Sequence, residues 1–179
     1  MEHSGPSTLD NLTQDQIAAI RQATWDLLPQ CRDFLASLVQ LDTTNPPGRN
    51  YPECAHLIGD TLTQLGYRVE YIDVPSDQLP VLAPLGEGLP RTNVIGRLAG
   101  TGGTGEKTLH VNGHFDVVPM GTLENWTYPP FGAEIHDGRM YGRGTADQKG
   151  GIAAQVRSTQ RRALCSQSAC LTGHVDFCG

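Results

Sequence analysis

The sequence of 179 residues predicts an α/β sandwich in which helices pack against a mixed central sheet. Segments with helical periodicity alternate along the chain with segments in which apolar and polar residues alternate, an order typical of layered α/β domains. An Asp-Gly turn between two short strand patterns predicts a hairpin, and so some antiparallel pairing. The length is sufficient for one hydrophobic core without support from disulfides.

The first predicted helix begins near residue 14. Thr13 and Gln16 have the spacing of a capping box, in which each side chain accepts a hydrogen bond from the backbone of the other residue. Apolar residues then recur near helical spacing as far as Val39, and the segment ends before Asn45-Pro46-Pro47-Gly48. Because Pro29 lacks an amide hydrogen, we expect either a kinked helix or two helices placed end to end.

A second helix is predicted over residues 51–65, with Gly66 as its stop signal. Three segments that follow show the alternation of a β-strand. They cover residues 67–74, 93–98 and 107–112.

The last third of the chain predicts a hairpin, a helix and a final strand. Glu134–His136 and Arg139–Tyr141 flank Asp137-Gly138, a strong signal for a two-residue turn. We expect a helix over residues 148–163 and a strand over residues 173–178.

Charge and composition exclude several classes of function. Lys and Arg total 13 against 19 Asp and Glu, and the net charge of −6 provides no basic surface for nucleic acid. No apolar run reaches the length of a membrane span, and the polar first residues do not resemble a signal peptide, so we expect a soluble cytoplasmic protein without a membrane partner. The odd number of cysteines, 5, favours reduced thiols over a disulfide framework.

Two patterns imitate functional motifs. Gly100–Lys107 nearly matches glycine-rich phosphate-binding loops, but a strand pattern follows where such loops need the N-terminus of a helix, so we interpret the segment as a flexible hairpin loop. Near the end of the chain are four residues of types that suit zinc, but they fall on a predicted helix and a predicted strand that give them no reason to converge. They are Cys165, Cys170, His174 and Cys178.

The stretch around His114 carries the strongest signal for chemistry. In an extended segment alternate side chains share a face, so His114 and Asp116 project together while Phe115 points into the core. Further along, a glycine-rich turn presents Asp147 near the start of a helix. Imidazole and carboxylate together suit zinc, cobalt or manganese, although a hydrogen-bonded structural pair is the more common meaning of such a spacing.

Residues 112–119, NGHFDVVP, followed by Trp126 and residues 129–151, PPFGAEIHDGRMYGRGTADQKGG, resemble the metallopeptidase M20 family of deacylases, desuccinylases, aminoacylases and carboxypeptidases. The resemblance extends upstream through Asn45-Pro46-Pro47-Gly48 and covers most of residues 30–160. It implies a three-layer, phosphorylase/hydrolase-like zinc-peptidase catalytic domain. The implied reaction is hydrolysis of the amide bond of an N-acyl amino acid or short peptide.

The resemblance also implies roles for individual residues. His114 would be a ligand of one zinc ion and Asp147 a carboxylate that bridges two, with Co²⁺ or Mn²⁺ as possible replacements. Asp116 would support catalysis indirectly, because it would orient His114 and make it more basic.

The sequence departs from the family pattern toward its end. The adjacent glutamates, the later acidic and histidine ligands and the inserted dimerisation domain of the family are not found, and residues 161–170 do not follow the expected helix. We therefore expect a flexible segment over residues 1–12 and, over residues 13–179, the N-terminal portion of a truncated catalytic domain that is inactive alone. A homodimer is expected only for a full-length form. The alternatives to a deacylase are a dipeptidase or carboxypeptidase of the same family, or a fragment that keeps only the fold.

Overall fold

A computed structural model of the chain describes residues 12–99 and 109–159 and the backbone of residues 175–178. Within these residues, four helices run over Gln14–Gln40 (α1), Tyr51–Gln64 (α2), Leu79–Leu82 (α3) and Lys149–Ser158 (α4), with a short 3-10 helix over Leu123–Asn125. The same part of the chain has six strands, which cover Arg68–Asp73 (β1), Thr92–Leu98 (β2), Leu109–Asn112 (β3), Glu134–His136 (β4), Arg139–Tyr141 (β5) and Val175–Cys178 (β6).

The main sheet is mixed, as predicted. Its strand order is β1-β2-β6-β3, in which β3 and β6 run parallel and the other neighbours antiparallel. Strands β4 and β5 form a separate hairpin, whose turn residues Asp137 and Gly138 have φ of 50° and 74°. Two positive φ values are what a type I′ turn needs, so the predicted Asp-Gly hairpin is confirmed.

The helix α1 begins at the capping box predicted for Thr13 and Gln16, where both reciprocal hydrogen bonds are present. Pro29 lies inside the helix, which is assigned without interruption, so the alternative of two separate helices is wrong. A proline removes one backbone hydrogen bond, and the turns on either side keep theirs. Leu38 and Val39 near the C-terminal end of α1 are fully buried.

Three helices share one hydrophobic core with the sheet. Apolar residues of α1, α2 and α4 meet Val94 of β2 and Phe115, which follows β3. The second cysteine of the chain, Cys54, lies in this core, and both Cys31 and Cys54 are free thiols. Within the part of the chain described here, no helix combines the length and apolar character that a membrane crossing requires.

Candidate metal centre

A short ladder of hydrogen bonds fixes the segment that carries His114 and Asp116. The backbone of Thr43–Asn45 runs parallel to that of Phe115–Val117, with Asn45 N donating to Val117 O at 2.9 Å and Val117 N to Thr43 O at 3.1 Å. The Thr43 hydroxyl also donates to Phe115 O at 2.6 Å. Because Phe115 is buried in the core, its neighbours on either side point away from it.

The imidazole of His114 lies between two carboxylates. Its Nδ1 is 3.1 Å from Asp116 Oδ1 and 3.1 Å from the Asp116 carbonyl oxygen, and its Nε2 is 3.1 Å from Asp147 Oδ1. Nδ1 faces two acceptors and Nε2 faces one. A proton on Nδ1 satisfies both acceptors of that nitrogen. The lone pair of Nε2 is then directed at Asp147, which is 86% exposed.

The electrostatics of His114 follow from this geometry. Burial alone lowers the pKa of His114, but hydrogen bonds with Asp116 and Asp147 and the negative charge of Asp116 outweigh it, so that the pKa is raised. In the neutral ring the lone pair of Nε2 faces a carboxylate oxygen, an arrangement that only a proton or a cation makes favourable. The donor set of one imidazole nitrogen and one carboxylate therefore fits a divalent metal ion.

Asp147 is held at the end of a glycine-rich turn. Gly144 has φ of +88°, and a Cβ atom at this position would collide with the side chain of Val117. Lys149 N donates to Gly144 O at 3.0 Å, which closes the turn at the start of α4. The peptide bond between Asp147 and Gln148 is cis.

His114, Asp116 and Asp147 border one open cleft of about 240 Å³, whose wall Arg143 also forms. The Arg143 guanidinium lies over the Trp126 ring at 5.1 Å from its centroid. The cleft therefore combines a pair of candidate metal ligands with one cationic side chain.

The three residues singled out in the sequence are thus brought together by the fold. Over residues 12–99 and 109–159 there is no cluster of three or more His, Cys, Asp or Glu side chains arranged to hold a metal, so the candidate pair stands without a third such ligand there. His136 is a hairpin residue, as predicted: it pairs with Glu134 at 2.9 Å and stacks on Tyr128. The Gly100–Lys107 loop and the side chains of Cys165, Cys170, His174 and Cys178 lie outside the described residues.

Two partners of Asp116 were not predicted. The Asn45 side-chain amide donates to Asp116 Oδ2 at 3.1 Å, and the Tyr51 hydroxyl faces the same carboxylate. The motif Asn45-Pro46-Pro47-Gly48 was the available signal, although the sequence indicated only that it follows a helix and belongs to the region of family resemblance.

The part of the sequence that carries the candidate residues is similar to known proteins. Residues 110–166, which include all three candidate residues, match the model of Peptidase family M20/M25/M40. A succinyl-diaminopimelate desuccinylase from Roseobacter denitrificans is 62% identical over 48 residues, covering 27% of this chain and 13% of the relative. An N-formyl-4-amino-5-aminomethyl-2-methylpyrimidine deformylase from Halalkalibacterium halodurans is 36% identical over 122 residues, covering 68% of this chain and 25% of the relative.

These matches identify the chain as similar to the M20 family. Its fold agrees with that of solved M20 structures. The di-peptidase Dug1p from Saccharomyces cerevisiae superposes with a TM-score of 0.72 at 20% identity, over 93% of this chain and 34% of Dug1p. Human carnosine dipeptidase 1 gives a TM-score of 0.63 at 22% identity, over 89% of this chain and 34% of the dipeptidase chain.

The chain spans a quarter or less of the length of these two curated relatives, 13% and 25%. The predicted α/β class is confirmed by the fold of the solved M20 enzymes.

Proposed function

We propose that this chain forms part of the metal centre of a hydrolase that cleaves the carbon–nitrogen amide bond of N-acyl amino acids. The observation that carries the proposal is the convergence of His114 Nε2 and Asp147 Oδ1, 3.1 Å apart, in one solvent-open cleft. Sequence similarity to a desuccinylase and a deformylase supports a deacylase rather than a peptidase.

His114 and Asp147 are the proposed metal ligands. Imidazole and carboxylate suit zinc, which we propose as the metal, two ions per site, with Co²⁺ or Mn²⁺ as substitutes. Bound there, the metal would lower the pKa of a water molecule towards about 7 and polarise the amide carbonyl of a substrate.

The chain's own residues perform the remaining tasks that we propose for this site. Asp116 holds Nδ1 of His114 in its protonated form, which leaves the lone pair of Nε2 for the metal. Gly144 allows the turn that brings Asp147 to that nitrogen. Arg143 and Trp126 shape the wall of the cleft that would receive a small N-acyl amino acid.

Composition and family resemblance support proposals about the substrate class, the location and the oligomeric state of the protein. The net charge of −6 supports a small-molecule substrate over nucleic acid. We propose a cytoplasmic enzyme, and a homodimer for a form that includes a dimerisation domain.

A chimera tests the proposed function. The 48 residues of this chain that match the Roseobacter denitrificans desuccinylase replace their counterparts in that protein, which supplies the rest of the enzyme. We expect metal-dependent hydrolysis of N-succinylated amino acids, lost on treatment with a chelator. A folded chimera that binds no divalent metal and shows no turnover would contradict the proposal, and hydrolysis of dipeptides alone would favour the peptidase alternative.

A further inference from the structure

We propose that Asn45 and Tyr51 are positioning residues of the metal centre: together they hold Asp116 so that His114 presents the lone pair of Nε2 to the metal. The inference rests on the proposed function for the role of the metal. The hydrogen bonds among these residues can be tested without it.

Asn45 donates a hydrogen bond to the Asp116 oxygen that His114 does not contact. Asn45 Nδ2 donates to Asp116 Oδ2 at 3.1 Å, while His114 Nδ1 meets Oδ1 at 3.1 Å. The backbone of Asn45 is itself fixed by its hydrogen bond to Val117 O at 2.9 Å. The carboxylate therefore cannot rotate without losing a hydrogen bond on one side or the other.

Tyr51 provides a second anchor for the same carboxylate. It is buried, and its ring packs edge to face on Phe115 with the centroids 5.3 Å apart. Its hydroxyl faces the Asp116 carboxylate across the cavity that both residues border, and burial together with the negative charge of Asp116 raises the pKa of Tyr51. Since Phe115 is adjacent to both His114 and Asp116 in the chain, this packing fixes the distance from Tyr51 to both.

Arg91 joins the two anchors into one unit. Its guanidinium lies over the Tyr51 ring, 4.8 Å from the centroid, and donates to the carbonyl oxygens of Pro47 and Gly48 in the loop that begins at Asn45. Gly48 has φ of +89°, and a Cβ there would collide with this guanidinium. Arg91 thus fixes the positions of the loop and of Tyr51 relative to each other, next to Asp116.

A cavity next to Asp116 gives its side chain room to rotate, which explains why neighbouring residues must hold the carboxylate in place. A cavity of about 300 Å³ opens on the side away from the candidate ligands, and Asn45, Tyr51, Arg91 and Asp116 all border it. Without the Asn45 amide and the Tyr51 hydroxyl the carboxylate would be free to turn into this cavity toward the cationic Arg91. His114 Nδ1 would then lose a charged acceptor, and the preference for a proton on Nδ1 would weaken.

The test uses Tyr51→Phe and Asn45→Ala in the 179-residue chain, with Tyr71→Phe as the matched control. Tyr51→Phe keeps the ring that packs on Phe115 and removes only the hydroxyl, so it remains informative if Asn45→Ala fails to fold. Tyr71 lies on β1 and contacts α2 at Gly59, away from Asp116.

Two measurements are made on each variant. Nitrogen-15 NMR of the metal-free protein at alkaline pH reports which ring nitrogen of His114 carries the proton, with His114→Gln identifying the signal. Titration with Co²⁺ reports metal affinity.

We expect both site variants to shift His114 from the Nδ1–H form toward a mixture of tautomers and to bind Co²⁺ about tenfold more weakly, with the control unchanged. A folded Tyr51→Phe variant with the tautomer of the unmodified chain would overturn the inference. A chain that shows the predicted tautomer shift but binds no Co²⁺ would instead reject the proposed function and leave the positioning role supported.

Discussion

The Nζ atom of Lys149 lies 2.8 Å from the carbonyl oxygen of Leu38, and the same ammonium donates to Leu41 O at 2.8 Å. Lys149 is fully buried, and burial lowers its pKa. The two acceptors belong to the C-terminal end of α1, which has no basic residue in its last turn. A cation from α4 therefore donates to two carbonyls at the end of α1, of which Leu38 O also accepts from Leu41 N at 3.3 Å, and ties the turn carrying Asp147 to the core.

Lys149→Met should destabilise the protein by about 2–3 kcal/mol, because one buried and one half-buried carbonyl group lose a charged donor. Unfolding in urea, followed by circular dichroism, measures the change. Arg32→Met is the control, since Arg32 pairs with its exposed neighbour Asp33, and a change within about 0.5 kcal/mol is expected there. Equal stability of the Lys149 variant and the unmodified chain would show that these hydrogen bonds contribute nothing.

His114→Ala and Asp147→Ala should each weaken the binding of Zn²⁺ or Co²⁺ by at least about tenfold, because each removes one of the two candidate ligands. Calorimetric titration of the metal-free chain provides the affinity. His136→Ala is the matched control, since His136 also pairs with a carboxylate, that of Glu134 at 2.9 Å, but in the separate β4–β5 hairpin. Undiminished affinity in the His114 variant would reject its assignment.

Asp116→Asn should lower metal affinity by about 10 to 100-fold while leaving the ligands in place, because the carboxylate orients His114 and increases its basicity. The same calorimetric titration applies, and circular dichroism checks that the variant folds. Unchanged affinity in a folded Asp116→Asn variant would contradict this role.

Asp42 should make stability depend on pH in the acid range. Burial alone raises the pKa of Asp42, but hydrogen bonds from Thr44 and Arg49 outweigh it and hold the pKa below its ordinary value. Because the folded-state pKa is the lower one, the stabilisation is present above about pH 4, the ordinary aspartate pKa, and is lost as the pH falls through the folded-state pKa. Urea midpoints at several pH values should decline less on acidification in Asp42→Asn than in the unmodified chain.

The 179 residues alone should show no appreciable amide hydrolysis. A catalytic zinc usually takes three protein ligands and a water, and over residues 12–99 and 109–159 the candidate centre offers His114 and Asp147 without a third. Assays with N-succinylated and N-acetylated amino acids at saturating Zn²⁺ check this expectation. Turnover at ordinary enzyme rates would mean that residues outside the described ranges complete the centre.

Local rules predicted much of the architecture. The capping box at Thr13, the stop at Gly66 and the Asp137-Gly138 turn each depend on hydrogen bonds or backbone angles within a few residues, so they can be read directly. The shared orientation of His114 and Asp116 follows in the same way from the two-residue period of an extended chain. Pro29 marks the limit of such rules, because α1 continues through it.

Contacts between distant segments were decided by the tertiary structure. Asn45 and Asp116 are 71 positions apart, and Lys149 and Leu38 are 111 apart, so no local pattern predicts either contact. Lysine is ordinarily an exposed residue, and its burial here depends on carbonyl groups that only the packing of α4 against α1 supplies. The sequence by itself determined the longer helices, the strands and which side chains share a face, because those properties arise from neighbouring residues; it did not indicate α3 or the 3-10 helix. The tertiary structure alone decided which groups hold Asp116 and Asp147 in place, since a hydrogen bond between remote residues exists only after folding has brought its donor and acceptor together.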